Sequence, residues 1–203
     1  IVEAGIEQDF KITPAQLEAA ITPKTKALIL CSPSNPTGSV YSKEELQALA
    51  AVLAKYPNVY VIADEIYEHI NYIGKHESIA QFSEIKDRVV IVNGVSKAYA
   101  MTGWRIGYVA APEDLVAQCF KLHQYATICA PIFSQYAAME GLRNGWNEVE
   151  KMRVSYQQRR NYMYKAFMEM GLPVVEPEGA FYMFPDIRST GISSEEFATK
   201  LIE

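Results

Sequence analysis

Three short apolar stretches constrain this chain more than anything else in it. They are Ala27-Leu28-Ile29-Leu30-Cys31, Val59-Tyr60-Val61-Ile62-Ala63 and Val89-Val90-Ile91-Val92. Each reads as a buried strand, because continuous apolar runs rich in β-branched residues suit a sheet covered on both faces. Between the first and second, Ser42-Lys43-Glu44-Glu45 is a capping box. It opens a helix through about Lys55 with Leu46, Leu49, Ala50 and Leu53 on one face. A short helix near Ile79 to Phe82 precedes the third strand. Strand, helix and strand in alternation predict βαβ units and a mainly parallel sheet in an α/β fold.

The flanking segments fit the same plan. Thr13-Pro14-Ala15-Gln16 starts a short helix that ends before Thr22-Pro23. Ile106 to Ala111 is a further strand, and Pro112-Glu113-Asp114 starts the helix after it. Pro131 starts another helix, reaching about Asn144. A long amphipathic helix follows from about Asn147 to Met170, stopped by Gly171. Its stripe of Val149, Met152, Tyr156, Met163, Phe167 and Met170 reads as core packing. Pro173-Val174-Val175 and Ala180 to Phe184 look like two strands, and Ser193 to Glu196 caps a last helix. The predicted division is therefore a large domain over 1–146, a connecting helix over 147–170, and the start of a smaller α+β domain over 171–203.

Composition excludes several function classes. The 203 residues are 49% hydrophobic and 21% charged, with a formal net charge of −5 and the two signs interspersed. That pattern favours neither nucleic acid nor an anionic membrane surface as a partner. Cys31, Cys119 and Cys129 show no metal-ligand spacing, which predicts no metal site and a reducing, cytoplasmic setting. No apolar run is long enough to span a bilayer, and no secretory signal is present. Residue 1 is Ile, and the chain stops inside a helical pattern at Leu201-Ile202-Glu203. A piece of a longer protein is the expectation.

Chemistry collects where the strands end, the edge at which open parallel sheets bind ligands. Asn35 follows the first strand, Asp64 closes the second, and Ser96 and Lys97 follow the third. A lysine leaving a buried strand is placed to be a desolvated amine that forms a Schiff base. Arg105 comes eight residues later, between Gly103 and Gly107. Ser96 and Arg105 offer a hydroxyl and a guanidinium fork to a phosphate. Asp64 needs a cationic partner or several donors, and a protonated pyridine nitrogen is such a partner. Tyr67 lies three residues on, so a helical turn would set it on the same side. Each residue alone has a plainer reading. A Ser-Lys pair after a strand is usually a turn with a solvated lysine. Asp64 serves equally as a helix N-cap, Asn35 as an Asx-turn before proline, and Tyr67 as a packing side chain.

Taken together, Ser34-Asn35-Pro36-Thr37-Gly38, Asp64-Glu65-Ile66-Tyr67, Ser96-Lys97 and Arg105-Ile106-Gly107 resemble four motifs of the class I/II, fold-type I aminotransferases, in the family's order. The bacterial aspartate aminotransferase branch is the nearest match. Cys129-Ala130-Pro131 and Gly179-Ala180-Phe181-Tyr182 also resemble members acting on aromatic amino acids or N-acetyl-diaminopimelate. The resemblance implies a three-layer sandwich and pyridoxal 5'-phosphate as cofactor. It implies Lys97 as Schiff-base lysine and proton carrier, Asp64 at the pyridine nitrogen, Asn35 and Tyr67 at the phenolic oxygen, and Ser96 and Arg105 at the phosphate. The implied reaction is transamination between an L-amino acid and a 2-oxo acid, in a cytoplasmic homodimer.

Two departures qualify that resemblance. The family's earlier phosphate loop and ring-stacking aromatic would precede Ile1. The arginine that binds the substrate carboxylate would follow Glu203. These residues alone are thus expected not to transaminate. A pyridoxal-phosphate C–S lyase, or an aminotransferase-like regulatory domain, would use the same residues. No G-x-G-x-x-G follows any strand, which argues against a nucleotide-binding dehydrogenase.

Overall fold

A computed structural model describes residues 1–203. Four strands form one sheet in the order β1 (Ala27–Cys31), β2 (Tyr60–Asp64), β3 (Val89–Gly94) and β4 (Gly107–Ala110). β1, β2 and β3 are parallel, and β4 runs antiparallel to β3. The helices are α1 (Pro14–Ala20), α2 (Lys43–Ala54), α3 (Glu113–Ala126), α4 (Ile132–Asn144), α5 (Trp146–Glu169) and α6 (Ser194–Lys200). This is the predicted α/β plan with a mainly parallel sheet. No helix is long and apolar enough to cross a membrane.

Local chemistry explains the helix starts. Thr13 and Gln16 cap α1 reciprocally, with Pro14 in its first turn. Ser42 and Glu45 do the same for α2. Side chains at 46, 49, 50 and 53 of α2 then recur at helical spacing and are all buried. They pack on Leu30, Val61, Ala63 and Val89 and on the 3-10 turn at Ile79, forming a core of 15 buried residues. Arg88 closes the end of α2 from below. Its guanidinium is buried and donates to the carbonyls of Leu53 (2.9 Å), Tyr56 (2.9 Å) and Val59 (2.6 Å). Leu53 O and Tyr56 O also accept backbone N–H groups, from Tyr56 and Val59, so the guanidinium is a second donor there, and its charge suits the C-terminal end of the helix dipole.

Successive strand residues point to opposite sides of the sheet. The side opposite α2 is largely open: Ile29 is 73% exposed, and Val92 and Val109 are exposed as well. α3 buries none of its side chains. In total the chain exposes 12564 Å², against about 9,600 Å² expected for a folded monomer of its mass.

Two expectations need correction. The stripe along α5 is not a continuous core row: Val149 is its one buried residue, and Met163 and Met170 are exposed. Nor do residues 173–184 form a strand pair; only a single bridge joins Val174 to Pro185. Pro173, Pro177 and Pro185 remove the donors a ladder needs. The remaining donors are used elsewhere. Glu178 N and Gly179 N both donate to Gly38 O, and Ala180 N donates to Ile70 O. Ala180 sits in the left-handed region at φ 58°, which breaks extended backbone. This segment is therefore stitched to loops at the strand ends and paired with none of the strands.

Candidate active site

The parallel register sets Cys31 beside Asp64 and Asp64 beside Val92. All three parallel strands thus end at one edge, and the predicted site residues follow from that edge. After β1 the chain turns through Ser34-Asn35-Pro36-Thr37-Gly38, closed by Gly38 N donating to Ser34 O. Gly38 has φ +73°, and a Cβ there would lie 2.5 Å from Pro177 Cβ. Both facts require glycine. The tight turn leaves Asn35 exposed at its tip, where Nδ2 donates to the Tyr182 hydroxyl at 3.3 Å.

Asp64 is half-buried on the open side of the sheet. Its Oδ1 accepts from Ile66 N at 3.2 Å; a turn and not a helix follows, so this bond closes a turn and occupies one oxygen. The turn after it swings Tyr67 inward until it is buried. The Tyr67 and Tyr182 hydroxyls meet at 2.5 Å. Burial pushes the Tyr67 phenol well above its ordinary range. Tyr67 therefore keeps its proton at neutral pH and can donate a hydrogen bond.

β3 and β4 pack closely where Gly94 faces Gly107: a Cβ on Gly94 would lie 2.9 Å from Gly107 Cα. The connection between them carries Ser96, Lys97 and Arg105. It is anchored by the buried side chains of Val95, Ala98 and Met101. Lys97 is half-buried and takes part in no ion pair. Its Nζ lies 5.7 Å from the Tyr67 ring centre and 5.8 Å from that of Phe181. An amine held between two aromatic faces keeps its position without a carboxylate partner. Thr102 links the two residues predicted to bind phosphate. Its Oγ1 donates to Ser96 O at 3.0 Å, and its carbonyl accepts from Arg105 at 3.0 Å. Arg105 itself is exposed and adopts a left-handed conformation.

The structure therefore joins Asn35 and Tyr67 through Tyr182, and Lys97 to Tyr67 directly. Asp64 shares their sheet edge, and Ser96 and Arg105 share one connection. Sequence reasoning did not assign roles to Phe181, Tyr182 or Thr102. The Gly179-Ala180-Phe181-Tyr182 motif was the available signal for the first two. The largest cavity, about 840 Å³, lies elsewhere, lined by Glu65, Glu68, His76 and Arg153 among others. None of the six predicted site residues lines it. Its buried carboxylate, Glu65, is matched by His76 at 3.1 Å and Ser78 at 2.6 Å.

Comparison with known proteins agrees with the four-motif reading. The family model for aminotransferase class I and II matches residues 2–203. A Bacillus subtilis protein named as an aminotransferase, YugH, is 52% identical over 201 residues, covering 99% of this chain and 52% of its own. Aspartate aminotransferase of Pyrococcus abyssi is 45% identical over 199 residues, covering 97% of this chain and 51% of its own. The structure of an aromatic aminotransferase from Pyrococcus horikoshii superposes with a TM-score of 0.95 at 42% identity, over 100% of this chain and 55% of that one. The chain spans about half the length of the relatives it matches, and it belongs to the class I and II aminotransferase family.

Proposed function

We propose that the protein containing this chain transfers an amino group from an L-amino acid to a 2-oxo acid, with aspartate and 2-oxoglutarate as the first pair to test. The observation that carries this reading is the Lys97 amine, without an ion pair, between the Tyr67 and Phe181 rings at the strand-end edge. Aspartate is chosen on the four motifs, while a relative of similar identity is named for aromatic substrates.

This family depends on pyridoxal 5'-phosphate, and the donor set fits that group. When bound, the cofactor supplies an aldehyde for an amine to attach to and a ring that withdraws electrons from the substrate Cα. Lys97 would provide the amine that holds the cofactor and would also hold and move the proton at the substrate Cα. Asp64 has an oxygen left for the proton on the ring nitrogen. Asn35 Nδ2 and the Tyr67 hydroxyl donate to the phenolic oxygen. Ser96 and Arg105 would hold the phosphate, one by its hydroxyl and one by its guanidinium.

The dimer, the cytoplasmic setting and the division at 146 and 170 belong to the same proposal. Exposed apolar side chains along α3 and α4, such as Phe120, Tyr125 and Phe133, support association. The free cysteines support a reducing compartment.

The test is borohydride reduction of the cofactor-loaded protein followed by peptide mapping. Label on Lys97 is the expected result. Label on another lysine, with Lys97 unmodified, removes the assignment.

A further inference from the structure

We propose that Tyr182 is a positioning residue for the phenolic-oxygen site, its hydroxyl holding Asn35 and Tyr67 in the orientation from which both donate to the cofactor. The inference rests on the cofactor site proposed above and adds a residue to it.

Hydrogen-bond inventory gives the direction the network must take for both residues to donate to a ligand. The Tyr182 oxygen accepts from Asn35 Nδ2 at 3.3 Å. An amide nitrogen carries two protons, so Asn35 keeps one for a ligand. A phenol carries one proton and accepts two. For Tyr67 to donate outward, Tyr182 must be the donor in the 2.5 Å contact between their hydroxyls. Protons are then ordered from Asn35 to Tyr182, from Tyr182 to Tyr67, and from Tyr67 to the ligand. A hydroxyl that accepts a hydrogen bond becomes a stronger donor itself.

Tyr182 is held in place because the residues just before it are tied down by backbone hydrogen bonds. Glu178 N and Gly179 N are bound to Gly38 O, and Ala180 N to Ile70 O. The Tyr72 hydroxyl donates to the Ala180 carbonyl. The alternative is that Tyr182 only packs, since its ring lies 5.7 Å from that of Tyr67 and 4.9 Å from that of Phe181. Tyr182→Phe separates the two roles, because it keeps the ring and removes the hydroxyl. The side chain is partly exposed, so this change leaves the fold in place.

The experiment titrates the absorbance of bound pyridoxal phosphate against pH in the parent protein, in Tyr182→Phe, in Tyr67→Phe and in the double variant. Donors to the phenolic oxygen favour its ionised form and weaken its hold on the proton of the lysine linkage. Weakening those donors therefore raises the midpoint. Tyr182→Phe should raise it by roughly half a pH unit and Tyr67→Phe by about one unit. The double variant should shift by less than the sum, because part of the Tyr182 effect runs through Tyr67. A midpoint unchanged in Tyr182→Phe but raised in Tyr67→Phe overturns the inference. A parent with no cofactor band at all would sink the cofactor site itself, and this inference with it.

Discussion

The two sides of the sheet differ sharply. On one, Val61, Ala63 and Val89 pack against Leu46, Leu49 and Leu53 of α2. On the other, Ile29, Val92 and Val109 are exposed, and Asp64 stands among them at the strand end. Ala63 and Asp64 are adjacent in sequence yet face opposite environments, because strand side chains alternate. The covered side supplies the core, and the open side carries the carboxylate proposed to act in the chemistry.

The strongest test of that contrast is Asp64→Ala. Amino-group transfer should fall by about two orders of magnitude or more, as expected when a group stabilising developing charge is removed. The denaturation midpoint should stay close to the parent's. A large stability loss with unchanged turnover would make Asp64 a structural cap and nothing else.

On the covered side the effects should invert. Leu53 is fully buried, and Leu53→Ala should cost about 2–5 kcal/mol of unfolding free energy in urea. Arg88→Met should cost about 2–3 kcal/mol, because it removes charge-assisted hydrogen bonds to the carbonyls of Leu53, Tyr56 and Val59. A loss well under 1 kcal/mol at Arg88 would mean that water replaces the guanidinium.

A smaller effect is expected at the stitched segment. Burial pushes the Tyr72 phenol from its ordinary 10.0 up to about 12. Between those values the folded chain keeps a proton that the unfolded chain has lost. The resulting stability is fully present below pH 10 and is lost as pH climbs toward 12. Ultraviolet titration of the phenols against Tyr72→Phe should show one group ionising late, and the variant should lack that part of the alkaline destabilisation. Least of all should follow from Ile29→Ser on the open side: within about 0.5 kcal/mol in either direction. A loss of several kcal/mol there would show that something covers Ile29 in solution.

Much of this was legible in the residues. The capping boxes at Thr13 and Ser42 declared two helices because their reciprocal hydrogen bonds are local. The strands at 27–31, 60–64 and 89–94 were legible from apolar, β-branched runs. That the six proposed site residues gather near one sheet edge was legible because parallel strands must end at one edge. The strand pair at 173–184 was misread. The apolar runs there looked like β-structure, but the three prolines were the better signal. The α5 stripe was overread because helical spacing gives the direction of a side chain without saying what lies opposite.

The sequence by itself determined the element order, the caps and the identity of the residues at the strand ends, since each depends on near neighbours along the chain. Only the tertiary structure decided which side of the sheet is covered and that Tyr182 reaches both Asn35 and Tyr67. Those contacts join residues 147 and 115 positions apart. They depend on where Gly38, Ile70 and Gly179 bring distant backbone together, and no local pattern encodes a distance of that kind.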